Sequence, residues 1–277
     1  MTANAMSNIL PTAGARSAFD ALAKDYDQIF TLTQLGRAHR SLVHERLLRH
    51  LRKGQRILDL NCGTGEDALY LASLGMCVWA CDISERMIAV ARHKAARSCH
   101  GSGVAFMVCA NENLGNFRHS ASFDAVLSNF GGLNCSRDLT PVARELSRLV
   151  RPGGRVFLCA MSRFCLWETL WYSRVGDWSR AFRRLRKGGT RANIAGASVE
   201  IHYPSVHDVR RAFAPSFRLV STRGIGVVLP PSWLVAHLEH HPRLIGTLKH
   251  IDRYLCGMPI VRGLADHTLF ELVREEQ

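Results

Sequence analysis

From Arg56 to Met161, short apolar runs alternate with stretches in which apolar residues recur every three or four positions. RILDL (56–60), CVWACD (77–82), VAFMVCA (104–110), FDAVLS (123–128) and RVFLCAM (155–161) read as buried strands. The segments between them read as helices: 65–74 ending at Gly75, a helix through Arg97 capped by Ser84, and 140–150 opened by Thr140-Pro141. Strict alternation of strand and helix implies right-handed crossovers, hence a parallel sheet with helices on both faces. Upstream, Phe19, Leu22, Tyr26 and Ile29/Phe30 stand at helical spacing, as do Val43, Leu47 and Leu51 before Gly54.

Past Met161 the pattern changes. A Trp-rich helical stretch and a basic segment with Gly188-Gly189 lead to a short strand, SVEIHY (198–203), and a helix, HDVRRAFA (207–214). FRLVSTRGIGVVLP (217–230) then reads as a long strand, SWLVAHLEHH (232–241) and PRLIGTLKHIDRYL (242–255) as helices, and HTLFELVR (267–274) as a last strand. Four regions follow: a helical N-terminal lid (1–54), a core (55–161), a cap (162–216) and C-terminal elements completing the sheet (217–277).

Composition changes this picture little. With 47% hydrophobic and 21% charged residues, the chain reads as an ordinary globular protein, and no apolar run reaches the roughly 18 residues of a membrane span. No secretory signal is visible, and nine cysteines without a C-x-x-C pair read as thiols of a reducing cytoplasm rather than a zinc site. His237 and His241 have metal-pair spacing but no carboxylate partner in a known motif, so no metal is expected. The formal charge of +13 gathers partly in 180–187, with Arg180, Arg183, Arg184, Arg186 and Lys187. A solvated helix face is the first reading of that stretch. A membrane surface or an acidic partner is the sharper one, favoured by the nearby Trp167, Trp171, Tyr172 and Trp178, and nucleic acid is the less favoured.

The candidate chemistry lies at Asp59-Leu60-Asn61-Cys62-Gly63-Thr64-Gly65-Glu66-Asp67. Residues 63–68 fit the G-x-G-x-x-G/A turn of dinucleotide binders. Two carboxylates at the helix N-terminus would repel a pyrophosphate, however, and suit a ligand bearing an ammonium and a sulfonium. Asp82, at the end of the second strand, is placed to accept from two ribose hydroxyls.

This stretch resembles the first motif of the class I S-adenosylmethionine (SAM)-dependent methyltransferases, an acidic residue followed by G-x-G-x-G. Asn61, the non-glycine residue that best tolerates a left-handed backbone, stands for the first glycine. FDAVLSNF and RPGGRVFLC match the family's fourth strand and the turn before its fifth, and AFDALAKDYD resembles the N-terminal helix of quinone-biosynthesis C-methyltransferases. The resemblance implies a Rossmann-like α/β fold, a doubly wound, seven-stranded, mostly parallel sheet with a cap insertion after the fifth strand. It implies SAM as cofactor, the backbone of Asn61, Cys62, Gly63, Thr64 and Gly65 cradling its methionyl part. Asp59 would face the ammonium side, Asp82 hold the ribose, Ile83 pack on the adenine and Tyr26 close over it. Met87, Asn111, Glu112, Ser128 and Asn129 complete the expected cofactor set. Ala110 stands where relatives carry an acidic residue near the adenine amino group, so Asn111 or a backbone carbonyl would substitute.

Methyl transfer asks mainly for positioning and exclusion of water, with a base only where the nucleophile must lose a proton. No N-P-P-[YF] or Pro-Cys motif follows the fourth strand, which sets aside base-flipping amino- and cytosine-C5-methylating enzymes. His202 is the candidate general base, and Phe130, Arg163 and Trp167 the candidate substrate contacts. Arg163 is also read as a surface ion pair with Glu168. The expected reaction is O- or C-methylation of a small hydrophobic or aromatic acceptor. An RNA methyltransferase, an inactive SAM-binding subunit and a nicotinamide-dependent oxidoreductase are the alternatives.

Overall fold

The structure, a computed structural model, describes residues 10–116, 122–234, 238 and 240–276, with backbone alone at 10–13, 112 and 116. Its strands are β1 (Arg56–Leu60), β2 (Cys77–Asp82), β3 (Val104–Val108), β4 (Phe123–Ser128), β5 (Val150–Met161), β6 (Thr190–Ile194), β7 (Ala197–Ile201), β8 (Phe217–Ile225) and β9 (His267–Arg274). Seven form one sheet in the order β3-β2-β1-β4-β5-β9-β8, while β6 and β7 pair as a separate hairpin. The first five strands run parallel, and β9 joins antiparallel to both β5 and β8.

The order turns back between β1 and β4, and a crevice opens at the carboxyl ends of strands on either side of such a point. Helices cover both faces: α1 (Leu10–Leu22), α2 (Gln34–Leu47), α3 (Glu66–Ser73), α4 (Glu85–Ala96), α5 (Thr140–Leu149), α6 (Leu166–Arg174), α7 (Trp178–Ala181), α8 (Val206–Phe213) and α9 (Pro242–Leu255). Side-chain alternation splits the core in two. Ile57 and Phe157 face one cluster with Leu47 and Leu71; Leu58 and Leu158 face the other with Leu146 and Phe213.

Three expectations change. The helical pattern of 19–30 breaks after Leu22 and resumes as a π-helix, Asp27–Thr31. Gly36 explains why it docks so closely on α2, since a Cβ there would lie on the Phe30 carbonyl oxygen. The range 162–216 is not one cap: α8 lies in the helix layer, with Val209 and Phe213 in the core beside α5 and β8. What stands over the sheet is α6, α7 and the β6–β7 hairpin, which packs against α1. The long strand 217–230 ends at Ile225. Of the helix expected at 232–241, a 3-10 turn, Ser232–Leu234, and a helical Leu238 are described, while residues 235–237 and 239, His237 among them, fall outside the described residues.

Behind the crevice, His39 is buried, its Nδ1 bonded to the Leu35 carbonyl at 2.8 Å. Burial pushes its pKa down to about 4. The unfolded chain, titrating near 6.5, takes up this proton first, so stability falls as pH drops from about 6.5 towards 4. We expect a loss of about 2 kcal/mol at pH 5 relative to pH 7, absent from His39→Gln, in urea midpoints at the two pH values. Equal midpoint shifts in both proteins would refute a buried neutral His39.

Candidate active site

The turn after β1 closes as its residues dictate. Asn61, Gly63 and Gly65 all adopt positive φ, at 56°, 52° and 78°. A Cβ on Gly65 would press into Ala91 and Phe106, and one on Gly132 would overlap the Asn61 side chain. The absent methyl groups therefore let α3, α4 and the loop after β4 converge on one turn. Asn61 Nδ2 donates to Ser128 Oγ at 3.1 Å, tying the turn across the switch point. Asp82 accepts from the Gly63 amide at 3.0 Å and from the Ser84 amide at 2.9 Å, one through each carboxylate oxygen. Each oxygen keeps a lone pair for a further donor.

A cleft of about 690 Å³ lies over this turn. Tyr26, Asn61, Gly63, Asp82, Ile83, Met87, Asn111, Asn129 and Phe130, all singled out in the sequence, share its wall. Asn111 is thus on the wall where the acidic residue of relatives is missing. Asp59, Cys62, Thr64, Gly65 and Ser128 stand behind the wall and shape it, so direct contact of Asp59 with a ligand is not what the geometry offers. Asp59 is buried, its Oδ2 has no hydrogen-bond partner, and burial, then Asp67, push its carboxyl well above the usual range. The Glu112 side chain lies outside the described residues.

The acidic turn needs a different account from the one its sequence suggested. Asp67 is held by Arg40, by His44 Nε2 at 2.5 Å and by Asn129 Nδ2 at 3.1 Å. Although burial opposes it, Arg40 and then His44 keep this carboxyl far below the usual range. Glu66 pairs with Lys94 at 2.9 Å. Both charges are answered from within the chain, so they hold the N-terminal helices against the turn instead of waiting for a cationic ligand. The same Lys94 reaches Asp27 at 3.1 Å, and Thr64 Oγ1 donates to Asp27 at 2.6 Å, fixing the π-helix over the turn. Tyr26 therefore lies beside Gly63, and burial raises its phenol to about 12, leaving it a neutral donor at neutral pH.

Phe130 is in the left-handed region at φ 49°, a strain of about 1–2 kcal/mol for a bulky residue. Gly131 follows at φ 84°. Such strain gathers at functional sites. The Phe130 ring meets Phe30 edge-on at 5.1 Å and is shared between the cleft and a second, apolar cavity of about 1510 Å³. Phe19, Tyr26 and Cys135 are shared likewise, and Ile29, Met161, Ile201 and Trp233 complete the apolar wall. Phe19 had a sequence signal in its helical periodicity. Cys135, Arg40 and Trp233 had none, because they reach the site from elements far apart in the chain.

Three substrate-side expectations are corrected. His202 faces away from the cleft into a third cavity, where burial lowers its pKa and Glu200 stands 3.8 Å from its Nε2. Its carbonyl accepts from the fully buried Asn134 side chain at 2.6 Å, and the same side chain accepts from the Met161 amide at 2.8 Å. Trp167 spends its indole N–H on the Val228 carbonyl at 3.2 Å and lines neither the cleft nor the apolar cavity. Arg163 also lines the third cavity and does not pair with Glu168, which Arg183 and Arg184 occupy. The basic stretch is likewise no single solvated helix face, since Arg184 is buried between Glu168 and Asp266. Among the described residues no cluster could hold a metal ion, and no helix is long and apolar enough to cross a membrane.

Residues 57–154, from β1 into β5, match the family model described as a methyltransferase domain. Over that stretch the chain is similar to the SAM-dependent methyltransferases. Over 148 residues the chain is 32% identical to the demethylmenaquinone methyltransferase of Corynebacterium efficiens, covering 53% of this chain and 59% of that one. It is 37% identical over 150 residues to the ubiquinone/menaquinone biosynthesis C-methyltransferase UbiE of Acidiphilium cryptum, with the same coverage. The chain thus spans less than two thirds of these relatives' length. The fold extends further: the CcbJ methyltransferase from Streptomyces caelestis superposes with a TM-score of 0.62 over 94% of this chain and 98% of its own, at 15% identity. SAM is the cofactor that this likeness implies, and the residues of the cleft fit it. The cleft offers a strand-end carboxylate with lone pairs free, a turn whose backbone is bared at Gly63, and the Ile83 and Met87 side chains for a flat ring.

Proposed function

We propose that the chain transfers a methyl group from SAM to a small apolar or aromatic acceptor, on oxygen or carbon. One observation carries this reading: the cleft bearing Asp82 opens, across Phe19, Tyr26, Phe130 and Cys135, onto a cavity walled by apolar side chains. The relatives named for quinone biosynthesis support the acceptor class. When bound, SAM would supply an electrophilic methyl group on a sulfonium, passed in line to the acceptor's nucleophile with S-adenosylhomocysteine as the leaving group. The chain's own share is placement. Asp82 accepts from the ribose hydroxyls, the turn at Asn61–Gly63 receives the methionyl end, and the rings of Tyr26 and Phe130 keep water from the junction of the two spaces.

The test is calorimetric titration of the full chain with SAM, S-adenosylhomocysteine and NADH. Micromolar binding of the two sulfur ligands without NADH is expected, with methylated product from a panel of phenols and hydroquinones. Binding of NADH alone would make the protein an oxidoreductase.

A further inference from the structure

The third cavity, of about 1020 Å³, is strongly cationic. Arg137, Arg163, Arg186, Lys187 and Arg211 line it, against two carboxylates, Asp138 and Asp208. Both acids accept first from their own backbone or side-chain neighbours, and Asp208 offsets part of the charge of Arg211 and Arg163. Asp208 closes the capping box of α8 with Ser205, and Asp138 accepts from the Thr140 amide at 2.9 Å. Arg211 only approaches Asp208, at 3.9 Å, while Arg186 donates to Ser179. Arg137, Arg163 and Lys187 make no hydrogen bond or ion pair within the described residues. The wall is built, too: Gly189, at φ 86°, lets the loop carrying Arg186 and Lys187 close on His202, where a Cβ would stand 2.8 Å from Nδ1.

This cavity meets the other two at one point. Cys135 lines both the cofactor cleft and the apolar cavity, and its neighbour Ser136 lines both the cleft and the cationic cavity. The end of β7 repeats the division, with Ile201, its last residue, on the apolar wall and the following His202 on the cationic one. An excess of cations in a concave space selects a multiply charged oxyanion, and guanidinium groups do so with directed hydrogen bonds.

We propose that the cationic cavity binds an anionic group, a phosphate ester or carboxylate, carried by the acceptor whose apolar body fills the neighbouring cavity. The proposal rests on the methyltransferase reading above. It makes the acceptor amphiphilic, gripped at its charged end by Arg163, Lys187 and Arg137 and presented at its apolar end to the cleft.

The test uses the full chain with S-adenosylhomocysteine added and three probes: 1-naphthyl phosphate, 1-naphthol and inorganic phosphate. The naphthyl phosphate is expected to bind at least roughly tenfold tighter than either fragment. Arg163→Gln/Lys187→Gln should remove roughly that tenfold, leaving naphthol and S-adenosylhomocysteine affinity unchanged. Both side chains are exposed, so the fold should survive, and Arg137→Gln gives an independent check. Equal affinity for naphthyl phosphate and naphthol, or a variant that weakens both alike, overturns the proposal. So does retention on phosphatidylglycerol vesicles or RNA, lost in the variant, without any preference for naphthyl phosphate; the cations would then serve a macromolecular surface. Failure to bind S-adenosylhomocysteine would instead count against the cofactor reading, since the preference among the three probes is read separately.

Discussion

Replacing Asp82 with alanine is expected to weaken S-adenosylhomocysteine binding roughly a hundredfold, from loss of about 3 kcal/mol in two charge-assisted hydrogen bonds. The carboxylate stands at the carboxyl end of β2 on the wall of the cleft, and its two backbone bonds leave each oxygen able to accept once more. Those backbone bonds add a second consequence. The Gly63 and Ser84 amides lose their acceptor, which costs about 1–3 kcal/mol of stability without unfolding the sheet. Calorimetric Kd values alongside thermal melting separate the two effects. Unchanged affinity in a folded Asp82→Ala protein would mean that the ribose lies elsewhere.

The largest loss of stability is expected from Arg184→Met. This guanidinium, buried, donates to Glu168 through Nε at 3.0 Å and Nη2 at 2.7 Å, to the Asp266 carboxylate at 2.7 Å and to the Asp266 carbonyl at 2.8 Å. It joins the segment after β5 to the residue that precedes β9. Burial opposes its charge, but Asp266 and then Glu168 hold it ionised well above its usual range. Removing one partner of a buried network leaves the others desolvated, and such losses run to about 3–5 kcal/mol. For a chain of this size that is a fall of about 5–9 °C in melting temperature. Lys187→Met, on the same basic stretch but unpaired, should melt within about 2 °C of the parent protein. A small shift for Arg184→Met, read by calorimetry, would show that the triad contributes little.

These two residues also mark how far the sequence could be read. Asp82 was legible because its place depends on local rules. A buried strand, an acidic end, a Ser84 cap and a following helix are written in consecutive residues, and β2 and α4 form where that grammar places them. The left-handed Asn61, the glycines of the turn and the strands from β1 to β5 were legible for the same reason. Arg184 was not. A run of basic residues looks like a solvated face until partners 16 and 82 positions away neutralise one of them.

The hydrophobic periodicity and the backbone demands of one turn therefore settled the sheet and the crevice, since both are properties of neighbouring residues. The tertiary structure alone decided what the charges and aromatic rings do. It drew Arg40 and His44 onto Asp67, turned His202 away from the cleft while its carbonyl held Asn134, and brought Phe19, Phe130 and Trp233 to one apolar wall. A charge or a ring acts through whatever lies within a few ångströms of it, and in a doubly wound sheet those neighbours come from distant parts of the chain.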